Sequence, residues 1–431
     1  MRNIISLMLI GFISLSSLWA YEFVPSTIYP EIVYKDTAYQ TTIRTVSLFR
    51  RGLKESYPVL YLNRDQNLVL TFDELVEESA NPSDFFVDVI SCNANWEPSG
   101  LLNVEFYDGF FNQRITEIQR SGLTRVPYFH YWYSFPNQGE KFKQSGNYLL
   151  KVYRDGNQDD IVLTRRFVVV EQSIGINLKY QLSAEPIRQQ MENFSFEVNV
   201  GNLPVFDPLK DLHIKVLQNF RWDNSYENPQ PRFQMGKKYE YFVNLMELFY
   251  GGNEFRRHEC ESYDLLGRNV QDIERRETMV DLFNYADEAR QRNTYGDRRD
   301  RNGSYRISVM EYQGDSINAD YFTNHFYVKS SERIRGDVYV FGEMTDWNLL
   351  PEFKMTYNKK LRRYEGEFLL KQGIYDYQYV VKYPDDWMVD ESAFEGQHTP
   401  SENFYTIMVY FRGPTDRNDR LLGFLTVNYK E

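Results

Sequence analysis

Apolar side chains recur at every second position in short runs along this chain, and polar or Gly/Pro/Asn breaks separate the runs. A period of two predicts half-buried strands. The stretches Gln40–Phe49, Asn67–Leu75, Phe85–Cys92, Tyr148–Tyr153 and Leu163–Glu171 read this way. The 3.6-residue period of an amphipathic helix is nearly absent, and the best candidate is Asp281–Arg292, "DLFNYADEARQR". Composition sharpens the same picture. Aromatic residues make up 16% of the chain, with 34 Tyr and 31 Phe, and aromatic side chains suit a pleated, half-buried surface. The expected class is all-β.

A weak internal repeat divides the chain. Gly146-Asn147-Tyr148, Gly303-Ser304-Tyr305 and Gly373-Ile374-Tyr375 each place a glycine two residues before a tyrosine that opens a strand. In immunoglobulin-like sandwiches such a tyrosine bonds back to the chain just upstream, the tyrosine corner. Three marks predict three consecutive immunoglobulin-like β-sandwich domains. The expected boundaries are a signal peptide at 1–20, an N-terminal sandwich at 21–173, a middle sandwich with a long charged loop at 174–334, and a C-terminal sandwich at 335–431. The last opens on Val338–Trp347, "VYVFGEMTDW".

The N-terminus reads as a secretory signal: Arg2 precedes an apolar run from Ile4 to Leu18, with cleavage expected after Ala20. No later stretch approaches the roughly 20 apolar residues that a spanning helix needs, so an exported chain without membrane insertion is expected. The formal net charge is −12. Nucleic acid is therefore not an expected partner, since phosphate binding draws on clustered Lys and Arg. Two cysteines, Cys92 and Cys260, are too few for a disulfide framework. They fall in different expected domains and read as unpaired core thiols.

The chemistry-bearing residues form no catalytic pattern. The five histidines are scattered. His258 and Cys260 share a strand face, but two ligands fall short of the four that structural zinc takes. Arg298–Gly303, "RRDRNG", has Arg where a calcium loop begins with an acid, and Asn302-Gly303 reads as a turn. No nucleophile elbow or phosphate-cradling loop is present in the sequence. No enzyme, cofactor or metal site is expected.

Several ordered segments carry a family resemblance: Ser56-Tyr57-Pro58, Leu68–Asp73, Cys92–Ser99 ("CNANWEPS"), Tyr107–Phe110, Phe135-Pro136-Asn137, Ser145–Tyr153 and Leu163–Phe167. They continue with Asn253–Arg256, Asp300–Gly303, Ala319–Tyr321, Lys371–Gly373, Val409–Arg412 and Asp419–Gly423. In this order the chain resembles the plug proteins of the type 9 secretion system. That resemblance implies a periplasmic, non-enzymatic protein whose partner is the outer-membrane translocon barrel. It would close the periplasmic opening of that barrel when no substrate is in transit. The aromatic stretch Pro127–Phe135 could anchor such a contact or simply form a buried strand.

The C-terminal block also resembles early-set glucan-binding modules. By motif position Trp347 and Trp387 match their two sugar-stacking tryptophans, and Asn403 matches their asparagine. Their lysine is replaced here by Gln378. The alternative reading is therefore a glycan-binding protein that uses Trp347, Trp387 and Asn403.

Overall fold

The computed structural model describes residues 29–180, 193–244, 249, 253–290, 300–311, 316–386, 388–396 and 402–428. The expected signal peptide lies outside them. Every strand expected from the period of two is present: Ile43–Arg50, Leu68–Leu75, Phe85–Cys92, Gly146–Arg154 and Ile161–Val170. The expected helix is a correction. Val280–Asn284 is a strand that pairs with Val270–Arg275 and with Tyr321–Lys329. Burying Val280 and Leu282 in a sheet outweighs the weak helical preference of so short a segment.

The described strands build three sandwiches. In the first, Ile161–Val170 and Gly146–Arg154 are central to one sheet, with Phe85–Cys92 beside them. The facing sheet runs Ile43–Arg50, Leu68–Leu75, Tyr128–Phe135, Glu117–Arg120. Between the sheets, the rings of Phe72, Phe85 and Tyr131 contact one another with centroids 4.9–5.4 Å apart.

The remaining strands do not pair along the expected division at 334/335. The second sandwich joins residues far apart in sequence. One of its sheets runs Gly175–Tyr180, Asn193–Asn199, Lys238–Asn244, Pro231–Met235; the other runs Ser225–Glu227, Leu212–Gln218, Phe404–Phe411, Arg420–Asn428. The third sandwich is inserted between these two parts. Arg256–Glu259, Tyr305–Ile307 and Asp337–Phe341 all pair with Gly373–Lys382, and Tyr321–Lys329 pairs with Arg363–Lys371. Three sandwiches therefore stand, but they are not consecutive, and the charged segment expected in the middle sandwich helps to build the third.

The reason is visible in side-chain alternation. From Phe404–Phe411, Ile407 and Val409 point into the second sandwich with Ile214 and Val216. Met408 and Tyr410 point the other way, onto Leu149, Val168 and Val170 of the first sandwich. A strand apolar on both faces is most stable between two layers, and the first two sandwiches supply them. Each such buried side chain contributes about 1.5–3 kcal/mol.

Two of the three marked tyrosines form corners. Tyr148 donates to the Gln144 carbonyl at 2.8 Å and Tyr375 to the Lys371 carbonyl at 2.6 Å. The third, Tyr305, instead shares a 3.0 Å hydrogen bond with Ser47 of the first sandwich.

Candidate functional site at the junction of the sandwiches

Two adjoining clefts lie where the sandwiches meet. A cleft of about 880 Å³ is lined from all three, by Tyr57 and Arg166, by Phe220 and Trp222, and by Tyr305 and Trp347. A second, of about 520 Å³, adjoins it and shares Asp36, Arg165, Tyr305 and Asp346.

Beside the smaller cleft the first sandwich places Asp73 at the centre of a strand, where its carboxylate is wholly buried. The third sandwich answers with Lys371, whose ammonium lies 2.6 Å from Asp73 Oδ2. Tyr321 also donates to that oxygen at 2.6 Å, and His130 Nδ1, from the directly opposite residue on the neighbouring strand, lies 2.5 Å from Oδ1. Thr45 shares a 2.6 Å hydrogen bond with the Tyr321 hydroxyl. Burial would raise the Asp73 pKa, but Lys371 and His130 outweigh it and hold the carboxyl below its ordinary value. Burial likewise lowers Lys371, and Asp73 offsets only part of that.

The seam continues on both sides. Asp320 of the third sandwich accepts the amides of Arg125 and Val126 at 2.7 and 3.0 Å, and Tyr128 donates to the Ile317 and Ala319 carbonyls at 2.6 and 2.8 Å. Across the clefts Arg165 pairs with Asp346 at 2.9 Å, and Arg301 pairs with Glu55. The aromatic stretch 127–135 is thus a largely buried strand whose first tyrosine anchors an internal seam.

Against the second sandwich the third presents Glu391, which receives two hydrogen bonds from Arg221 at 2.6 and 3.0 Å. Burial pushes the Glu391 carboxyl up, and Arg221 more than reverses this. Arg221 also lies 4.3 Å from the centroid of the Trp347 ring. The turn before Tyr305 completes that packing: Gly303 has a φ of +79°, and a Cβ there would sit 2.3 Å from the Trp347 ring.

These contacts place the candidate sugar residues. Trp347 meets the edges of Phe255 and Phe341 and carries Arg221 over its ring. Asn403 is buried and accepts from Asn219 at 2.8 Å, both within the second sandwich rather than in the module that holds Trp347. Gln378 donates to Glu391 at 2.7 Å. Trp387 lies outside the described residues. The structure therefore brings Trp347 to the large cleft but spends Asn403 and Gln378 on internal hydrogen bonds. The sequence reading missed Asp73, Lys371, Arg221 and Glu391. A charged residue inside an otherwise apolar strand was the available signal, as in "LVLTFDEL".

Both cysteines are free and buried, Cys92 between the first two sandwiches and Cys260 in the third. Among the described residues no cluster of three metal-ligating side chains occurs, and no helix is long and apolar enough to cross a membrane.

Fold and junction define an all-β protein of three joined sandwiches, held together by one apolar seam and by ion-paired ones. Residues 43–171 match the family model of the type 9 secretion system plug protein first domain, and the chain belongs to that family. It is thereby a component associated with the type 9 secretion system, of a structural kind. The crystal structure of a hypothetical protein from Parabacteroides merdae ATCC 43184 is similar over 92% of this chain and 100% of its own, with 30% identity and a TM-score of 0.85. A collagen adhesin from S. aureus aligns over 90% of this chain and 91% of its own at 9% identity, but with a TM-score of only 0.11. No curated protein matches the chain.

Proposed function

We propose that this chain docks from the periplasm on the outer-membrane translocon barrel of the type 9 secretion system and closes its periplasmic opening between transport events, without catalysing a reaction. The observation that carries the reading is the match of residues 43–171 to the plug-protein domain. Physical argument supports it. A wide protein-conducting pore leaks solutes unless blocked, and a stopper needs breadth and stiffness rather than chemistry. The apolar layer between the first two sandwiches supplies stiffness. Ion pairs absorb the charged side chains at the junction, as expected where charge serves packing rather than turnover. The test is affinity purification of the translocon from cells that carry this chain. Co-purification that disappears when substrate fills the barrel supports the reading; a translocon that never brings the chain down refutes it.

A further inference from the structure

The sandwiches adhere to one another in two different ways. Among the described residues a single apolar cluster crosses between sandwiches, and it joins the first to the second: Leu149, Val168 and Val170 meet Leu217, Met408 and Tyr410. Among the described residues, none of the four apolar clusters reaches from the third sandwich to either neighbour, and no sheet is shared with it. It meets them through hydrogen bonds and ion pairs, Asp73 with Lys371 and Tyr321, Asp320 with the amides of Arg125 and Val126, Glu391 with Arg221, and through ring contacts of Tyr128 with Tyr321 and of Arg221 with Phe341 and Trp347.

We infer that the first and second sandwiches form one rigid body, and that the third is a releasable arm docked on it by the buried Asp73–Lys371 pair and its hydrogen-bonding ring. Separation of the apolar seam would expose hydrocarbon, for which water offers no compensation. Separation of the polar seam returns both ions to water and restores the hydration that their burial removed, so docking and release are closely balanced. This arm goes beyond the sealing reading and stands without it.

Spin labels in the full chain test the inference, placed at Glu77→Cys, Lys237→Cys and Lys360→Cys, one exposed position in each sandwich. The native thiols are buried and stay unlabelled. In Lys371→Met, which removes the ammonium from Asp73 and leaves its carboxylate to His130 and Tyr321, the 77–360 distance distribution is expected to gain a longer component while 77–237 keeps its single peak. The double variant Asp73→Leu/Lys371→Met removes the buried carboxylate as well and should restore the parental distribution. Unchanged 77–360 distances in the single variant, or equal movement of 77–237, would overturn the inference. Hydrogen exchange decides the matter on the unsubstituted chain, whether or not the single variant folds. The amides of Arg125 and Val126, which donate across the polar seam, should exchange about tenfold or more faster than that of Ala94, which donates to Asp419 across the apolar one. Equal protection would count against the arm.

Discussion

The carboxylate of Asp73 and the ammonium of Lys371 lie 2.6 Å apart, 298 residues distant in sequence, with their side chains 0% and 1% exposed. A buried ion pair adds little net stability over a well-packed apolar pair, because desolvation consumes most of the attraction, but loss of one partner strands a charge. Lys371→Met is therefore expected to lower the unfolding free energy by about 3–5 kcal/mol, while Asp73→Leu/Lys371→Met should recover most of that loss. Urea denaturation of the parent, both single variants and the double variant measures this coupling.

Acid should loosen the same contacts. Asp73, Glu391 and Glu395 all have carboxyl pKa values held below the ordinary range: burial pushes each up, and Lys371, Arg221 and Arg256 respectively outweigh it. A depressed folded-state pKa contributes stability that is present above the ordinary carboxylate value near 4 and is lost as pH falls through the folded value. Asp300 works in the opposite direction. Burial pushes its carboxyl up to about 7, so its contribution is lost as pH rises through that value. The urea midpoint is expected to be highest at roughly pH 5–6 and to fall steeply below about 4. Asp73→Asn should flatten the acid limb, and an unchanged limb would remove Asp73 from the account.

Strand exchange between distant segments has a direct consequence for fragments. Residues 253–396 contain the third sandwich and its whole apolar cluster, and are expected to fold alone with a cooperative melt. Residues 335–431, the unit suggested by sequence, lack Arg256–Glu259, Val280–Asn284 and Tyr321–Lys329, and they carry the Phe404–Phe411 and Arg420–Asn428 pair without Leu212–Gln218, its neighbour in the sheet. Such a fragment should show no cooperative transition by circular dichroism.

This contrast shows what the sequence could reveal. Alternation exposed the strands of the first sandwich because its sheets pair residues within one stretch of chain. The Gly-x-Tyr marks located two true corners, Tyr148 and Tyr375, because the tyrosine bond to a carbonyl four residues upstream is local. Phe404–Phe411 gave no hint of its partner Leu212–Gln218, since a strand buried on both faces has no period that specifies a neighbour. The junction was hidden for a related reason: Lys371 becomes meaningful only beside Asp73, and nothing local links them. Trp347 was legible as an aromatic at a turn, but Arg221, which covers it, lies 126 positions earlier.

Thiol chemistry should follow burial. Both cysteines have pKa values pushed up to about 12, chiefly by desolvation, and the thiolate is the reactive form. Neither is expected to react with an aromatic disulfide reagent in the native state. On denaturation both should react, giving two equivalents per chain. Native-state labelling of Cys92 alone would mean that the seam between the first two sandwiches opens, contrary to its apolar construction.

The central claim is that this chain closes an empty translocon, and solute leak measures it most directly. Translocon purified from cells lacking the chain is reconstituted into vesicles loaded with a small fluorophore, and the purified chain is then added. The account predicts rapid leak from the bare barrel and its arrest when added chain approaches one copy per barrel. Leak that continues undiminished at saturating chain would contradict it.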